Sequence, residues 1–184
     1  MAKRRRQRAA PAATAPRPRA SAIGWLGLLP AALVVLAYLN ALGNPFVYDD
    51  RPTVVDNPSL RDLSNWRYIL GYTPFRPLVN ISYALDRLIW GVRPLGYHLT
   101  SLLLHALNAT LLLRLGARAA EDSNRRGAMN LDPSAVGFAA AALFAVHPLL
   151  SEAVAYASGR SELVAGTFFL CGLLSARRWF RGDR

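Results

Sequence analysis

Residues 23–42 read IGWLGLLPAALVVLAYLNAL, a run of twenty residues without a charged side chain. At 1.5 Å per residue, a helix of this length covers about 30 Å, which is the thickness of the hydrocarbon core of a bilayer. Trp25 and Tyr38 lie near its two ends, where amphipathic rings prefer the membrane interface. The run therefore predicts a first transmembrane helix, with a kink at Pro30.

Three further apolar runs predict spans at about 97–115, 134–150 and 160–176. The second carries several polar residues, which predicts a helix buried among other helices rather than surrounded by lipid. Cys171 lies in the last run and, as the single cysteine, excludes an intrachain disulfide. The fold class predicted is an all-α integral membrane protein with about four transmembrane helices in a polytopic domain over 23–176.

The outer loop 43–96, between the first two spans, contains one amphipathic segment, LVNISYALDRLIW at 78–90. Its apolar residues recur at helical spacing, while Asn80, Ser82 and Asp86 face elsewhere. This pattern predicts a helix lying on the membrane surface. Packing of the same stripe against other parts of the protein is the alternative.

The positive charge is segregated, which gives a topology. The tail 1–22, the connector 114–126 and the end 177–184 hold 15 of the 22 basic residues. Placing all three in the cytoplasm satisfies the positive-inside rule with four spans and argues against nucleic-acid binding. We predict that 1–22 is a disordered basic tail preceding an uncleaved anchor, with a signal peptide as the alternative. Arg outnumbers Lys 21 to 1, which favours a bacterial source and an inner-membrane location.

Two adjacent carboxylates, Asp49 and Asp50, follow the first span closely. Their mutual repulsion raises one pKa or recruits a cation. Either outcome suits a general base or a site assisted by a divalent cation, although the metal is unknown. A solvated turn followed by Arg51-Pro52 is the structural alternative.

A second acidic region begins at the outer end of the third predicted span. It contains His147, Glu152 and Glu162. Ionisable groups near a membrane predict function by default, although an ion pair between Glu152 and Arg160 would explain them structurally. The same predicted side carries three arginines whose guanidinium groups suit a lipid-linked phosphate, namely Arg51, Arg76 and Arg160.

Several strings recur here in a specific order: NPFVYDD at 44–50, RPL at 76–78, GYHL at 96–99, LH at 104–105, FAVHP at 144–148, EAV at 152–154 and RSE at 160–162. This order resembles the N-terminal membrane region of the transmembrane and tetratricopeptide-repeat O-mannosyltransferases and their bacterial relatives. Those enzymes belong to the GT-C superfamily of polytopic glycosyltransferases. The resemblance covers residues 44–170 and departs from the family at Glu162, where an Asp would be expected. Family members continue with further spans and soluble repeats, so the resemblance implies a fragment.

The resemblance implies a reaction and roles for the residues. A sugar would pass from a polyprenyl-phosphate donor to the hydroxyl of a protein or glycan acceptor on the non-cytoplasmic face. Asp49 would be the general base and Asp50 would support it, with Glu152 and Glu162 in the second acidic motif. A non-catalytic membrane scaffold or assembly subunit remains the alternative function. A transporter fits least, because the ionisable residues cluster at one membrane face rather than at the midplane.

Overall fold

The computed structural model describes residues 28–182, and all regular secondary structure in that range is helical. The α-helices, in chain order, are α1 (Leu28–Tyr38), α2 (Trp66–Tyr72), α3 (Pro77–Trp90), α4 (Pro94–Arg125), α5 (Pro133–Ala145), α6 (Ser151–Ala155) and α7 (Arg160–Arg181). Tighter turns cover Leu39–Gly43, Pro58–Leu60 and Pro148–Leu150, and one wide π turn covers Arg51–Val55. The predicted basic tail 1–22 and the start of the first span lie outside the described residues.

Among residues 28–182, two helices are long and apolar enough to cross a membrane, α4 and α7. A third span follows if α5 and the segment Pro148–Ala155 are counted together, although they meet at 54°. The apolar helix Leu28–Gly43 is shorter than a span within the described residues. The all-helical membrane class is therefore confirmed with two or three candidate spans.

Helix α4 is longer than the second predicted span, which lies within it. Helix α4 has 32 residues, starts at Pro94 in the first helical position and continues to Arg125 through most of the stretch expected to be a charged connector. Alanines and an Arg118–Glu121 pair at three-residue spacing favour this continuation. Helix α7 likewise extends beyond the last predicted span. It ends at Arg181, and the following residue, Gly182, adopts the left-handed conformation typical of a helix end.

The predicted third span is interrupted rather than continuous. Asp132 caps the start of helix α5, because its side chain accepts a hydrogen bond from the Ser134 amide. The helix ends at Ala145. Pro148 cannot continue the backbone hydrogen-bond ladder. The Tyr38 hydroxyl instead donates to the His147 carbonyl at 3.1 Å, so the break is stabilised from the first helix.

Helices α4 and α5 pack with their backbones in close contact at two glycines. A Cβ added at Gly137 would lie 2.5 Å from the Leu113 carbonyl oxygen and 3.1 Å from Ala117 Cβ. A Cβ added at Gly116 would lie 3.1 Å from the Gly137 Cα. This crossing uses small residues to bring helices together, as membrane helix pairs commonly do.

The buried apolar residues form two clusters, one within the long helices and one at their outer end. The first lies among α1, α4, α5, α6 and α7 and includes Val34, Leu102, Ala145 and Leu163. The second joins the loop after α1 to α3 and includes Val54, Leu60 and Tyr83. The outer loop is thus a packed cap on the helix bundle.

Helix α3 turns its polar face inward. Asn80, Tyr83 and Asp86 are buried, whereas Leu85, Leu88 and Ile89 on the other face are 55%, 71% and 69% exposed. A water-facing helix shows the opposite arrangement. A position at the membrane surface stays a prediction for this helix, and these exposed apolar side chains are the ones that it would place against lipid.

Candidate functional site

The adjacent carboxylates Asp49 and Asp50 have different environments. Tyr48, just before them, has φ of 44°, a left-handed conformation that non-glycine residues rarely adopt. Asp50 is completely buried, and its two carboxylate oxygens accept hydrogen bonds from the Ser158 amide at 2.8 Å and the Val47 amide at 3.2 Å. Asp49 is exposed and lines a cleft. One carboxylate therefore joins two outer segments, and the other is accessible to a ligand.

A buried amide network fixes the loop that carries Asp49. The Asn57 side chain donates to the Thr53 carbonyl at 2.9 Å and to Asn80 Oδ1 at 3.0 Å. Asn80 in turn donates to Ser59 Oγ at 2.9 Å and to the Ile69 carbonyl at 2.6 Å. Because buried polar groups are costly unless they are paired, this network specifies one position for the loop on α3. Its only sequence signal is a polar residue, Asn80, on the side of α3 away from the apolar stripe.

The turn between α6 and α7 is attached to the same cap. The Tyr83 hydroxyl donates to the Ala157 carbonyl at 2.9 Å, one residue before the amide that Asp50 accepts. Burial raises the pKa of Tyr83 to about 12, so the hydroxyl keeps its proton and acts as a donor. The two acidic regions of the sequence are thereby brought into contact at one end of the bundle.

The cleft between these segments has a volume of about 620 Å³. It brings together four of the predicted site residues, Asp49, Arg76, Glu152 and Glu162. Other polar and aromatic lining residues are Thr53, Asn57, Tyr72, Thr73, Phe75, Asn80, Tyr83, Ser158 and Ser161. The aromatic and amide residues of this wall were not predicted as site residues, because only their spatial arrangement brings them to the carboxylates.

Arg76 occupies the junction of the cleft with a second, more apolar groove of about 430 Å³. The groove runs between α3 and α7 and is lined on its far side by Leu78, Val164 and Ala165. The Arg76 guanidinium is exposed and donates a long hydrogen bond of 3.4 Å to Ser161 Oγ. Arg76 therefore lines both a polar cleft and an apolar groove.

Arg160 is held inside the protein rather than in the cleft. Its side chain is fully buried, and its Nη2 atom contacts Asp86 Oδ2 at 2.6 Å and the Tyr97 carbonyl at 2.8 Å. The guanidinium carbon lies 4.8 Å from the centre of the Tyr83 ring. This side chain, predicted to bind phosphate, has its donors directed at internal partners.

Two other predicted residues do not line the cleft. Arg51 is exposed and lies 3.9 Å from Asp56, a distance typical of a weak surface ion pair. His147 is exposed, and its Nδ1 atom accepts a hydrogen bond from the Leu149 amide at 3.3 Å, which caps the short turn after α5. Within residues 28–182, no three His, Cys, Asp or Glu side chains assemble into a metal-binding group.

Comparison with known proteins identifies relatives over most of the chain. Protein O-mannosyl-transferase Tmtc1 of Drosophila melanogaster is 40% identical over 161 residues, covering 80% of this chain and 17% of the relative. Protein O-mannosyl-transferase TMTC2 of Mus musculus is 31% identical over 176 residues, covering 83% and 20%. Protein O-mannosyl-transferase TMTC3 of Homo sapiens is 27% identical over 159 residues, covering 79% and 16%.

The chain spans about a fifth of the length of these curated relatives. No family model and no solved structure matches it. The relatives named above are animal proteins, so they give no support to the bacterial source inferred from the excess of arginine. Over about four-fifths of its length, this chain is a homologue of the protein O-mannosyl-transferases, which confirms the GT-C resemblance that its motifs indicated.

Proposed function

We propose that this chain forms part of a membrane glycosyltransferase that transfers a sugar from a polyprenyl-phosphate donor to an acceptor hydroxyl on the non-cytoplasmic face. The observation that carries the proposal is the convergence of Asp49, Arg76, Glu152 and Glu162 on one cleft. These residues are far apart in the sequence, and two outer segments have to dock for them to meet. The relatives are named as protein O-mannosyl-transferases, which supports mannose as the sugar and a protein as the acceptor.

Asp49 is the proposed general base. Its carboxylate would accept the proton of the acceptor hydroxyl while the oxygen bonds to the anomeric carbon of the donor sugar. The bond from that carbon to the phosphate oxygen breaks, and the polyprenyl phosphate leaves with the electron pair. Asp50 supports this role indirectly, because its buried carboxylate fixes the loop through the Ser158 and Val47 amides.

Arg76 is the proposed ligand of the donor phosphate. A guanidinium group stabilises phosphate through paired, charge-assisted hydrogen bonds, and this stabilisation grows as the leaving group gains charge. Arg76 lies where the polar cleft meets the apolar groove, which suits a ligand with an anionic head and a hydrocarbon chain. Of the three arginines predicted for this role, it is the one whose side chain lines the cleft.

The proposed arrangement in the membrane has four spans with the N-terminus in the cytoplasm. The span 23–42 would be completed by residues before Leu28, and α5 with the bent segment after it would form the third. An ion-pair cluster lies at the end of α4 and α7 far from the cleft, which suits a cytoplasmic position. It consists of Arg118, Glu121, Asp122, Arg177 and Arg181. The domain limits remain those proposed above, with 177–184 as a basic cytoplasmic end.

The test is sugar transfer from a mannosyl-phosphoryl-polyprenol to a serine-containing peptide by the full-length membrane protein. Asp49→Asn should lower kcat by about 10²- to 10⁴-fold, the range associated with loss of a general base. Asp56→Asn is the matched control, because Asp56 is an exposed carboxylate of the same outer segment that does not line the cleft. Equal rates for the Asp49 variant and the wild type would refute the assigned base.

A second pair of variants tests the phosphate ligand. Arg76→Gln should raise the KM for the donor, whereas Arg51→Gln should leave this KM unchanged. The reason is that both arginines are exposed, but only Arg76 lines the cleft. If the two variants had the same effect on the KM for the donor, surface charge rather than a specific contact would be responsible.

A further inference from the structure

We propose that the buried ion pair of Arg160 with Asp86 is the positioning element of the cleft, which holds Ser161 and Glu162 in place opposite Asp49. The inference rests on the proposed function for its kinetic consequence, but its structural consequence is independent of any reaction. Arg160 is a positioning residue here, since its side chain acts through its neighbours in the chain.

The first argument is the environment of the pair. The side chains of Arg160 and Asp86 are 0% and 5% exposed, and their closest nitrogen and oxygen atoms are 2.6 Å apart. Removing two charges from water is costly, and good geometry with further hydrogen bonds is needed to offset it. Arg160 has those bonds, because Nη1 donates to Ser82 Oγ at 3.1 Å and Nη2 donates to the Tyr97 carbonyl at 2.8 Å.

The second argument is orientation. Asp86 Oδ1 accepts a hydrogen bond from Thr100 Oγ1 at 2.7 Å, so the carboxylate is fixed by α4 as well as by its own helix α3. The guanidinium group lies over the rings of Tyr83 and Tyr97 at 4.8 and 5.7 Å. A planar fork can satisfy partners in these several directions, and a lysine ammonium cannot. The pair therefore fixes the rotation of the first turn of α7 relative to α3 and α4.

The third argument is proximity to the cleft. Arg160 is the first residue of α7, and the next two residues, Ser161 and Glu162, line both the cleft and the apolar groove. Ser161 Oγ is also the acceptor of the Arg76 hydrogen bond. A small rotation at Arg160 would move these groups relative to Asp49 on the opposite segment.

A second ion pair of α7, which joins it to α4 rather than to α3, serves as a control. Arg177 of α7 donates to Asp122 of α4 at 2.7 and 2.8 Å, at the end of the helices away from the cleft. Its side chain is 16% exposed, so it is a partly buried interhelical pair of similar chemistry. If ion pairs only hold α7 to its neighbouring helices, loss of either pair should have the same consequence for the cleft.

The experiment compares Arg160→Lys with Arg177→Lys in the full-length protein. For Arg160→Lys we expect kcat for mannosyl transfer to fall about 10²-fold, the effect of an ångström-scale misplacement, with a much smaller change in the KM for the donor. For Arg177→Lys we expect an unchanged kcat, even where the thermal midpoint falls. Adding Asp86→Glu to Arg160→Lys lengthens the carboxylate as the cation shortens, and should restore part of the lost kcat.

A second measurement does not depend on catalysis. Glu162→Cys is made with Cys171→Ala and with any further cysteine of the full-length protein replaced, so that it provides a single thiol. The rate at which this thiol reacts with a charged maleimide reports the position of the cleft wall. Arg160→Lys should change this rate several-fold, and Arg177→Lys should not. An unchanged rate and kcat in the Arg160 variant would overturn the proposal. A changed thiol rate with no transfer in the wild-type protein would overturn the proposed function alone.

Discussion

The contact of α4 with α5 predicts that Gly137→Ala destabilises the protein although alanine favours helices. The new methyl carbon would lie 2.5 Å from the Leu113 carbonyl oxygen, about 0.8 Å inside an ordinary carbon–oxygen contact. It would also lie 3.1 Å from both the amide nitrogen and the Cβ of Ala117. All three atoms belong to or adjoin the facing backbone, so the helices have to separate.

The magnitude follows from two opposing contributions. Overpacking in a close-packed interior costs about 1–3 kcal/mol. The higher helix propensity of alanine returns up to about 1 kcal/mol. We therefore expect Gly137→Ala to lower the free energy of unfolding by up to about 2 kcal/mol, the overpacking cost less the propensity gain.

The assay is reversible unfolding in mixed micelles with increasing sodium dodecyl sulfate, followed by tryptophan fluorescence. Gly172→Ala is the matched control, because it is also helical and has no atom within 4 Å of the added carbon. Gly116→Ala should fall between the two, since its closest contact is 3.1 Å. Equal unfolding curves for the Gly137 and Gly172 variants would refute the close approach.

Three further predictions concern buried polar groups, each measured by thermal unfolding in detergent. Asn108→Leu should destabilise the protein by about 1–2 kcal/mol, because Asn108 donates to the Leu163 carbonyl at 2.9 Å, while Thr110→Val on the same helix should have little effect. Tyr83→Phe should reduce the loss of stability at high pH. The pKa of Tyr83 is about 12 in the folded state and near 10 in the unfolded chain, so the unfolded chain loses this proton first. The free energy of unfolding of the wild type therefore falls by about 2–3 kcal/mol as pH rises through that window. A slope between pH 9 and 11 that is identical in the Phe variant would contradict this. Asp50→Asn should cost about 1–3 kcal/mol by turning an amide donor towards a backbone N–H, and a midpoint as high as that of Asp49→Asn would show that Asp50 is not a structural carboxylate.

The sequence predicted the all-helical membrane class better than the ends of its helices. Hydropathy locates a helix but does not show where it ends. The span predicted at 97–115 therefore lies within a longer helix, α4, which runs from Pro94 to Arg125. The break after Ala145 had a visible signal in Pro148, but a proline within an apolar run also occurs in continuous membrane helices. The Tyr38 hydroxyl also donates a hydrogen bond at this break, a contact that only the tertiary structure supplies.

The site was predictable to the extent that residue type reveals chemistry. Four predicted residues meet in the cleft, and their common location follows from a topology argument that used charge alone. The burial of Asp50 and Arg160 was not predictable, because nothing in the one-dimensional pattern distinguishes a charged side chain that faces a ligand from one with an internal partner. Asn57 and Asn80 were missed for the same reason.

The inverted amphipathicity of α3 has a consequence for the outer loop as an isolated piece. Cut out of the protein, this loop would present Leu85, Leu88 and Ile89 to water while losing α4 and α7, which supply the partners of Asp86. A contiguous apolar surface of this kind promotes self-association. The loop therefore depends on the helix bundle for its folding, and an isolated fragment that contains Asp49 and Asp50 would not reproduce the cleft.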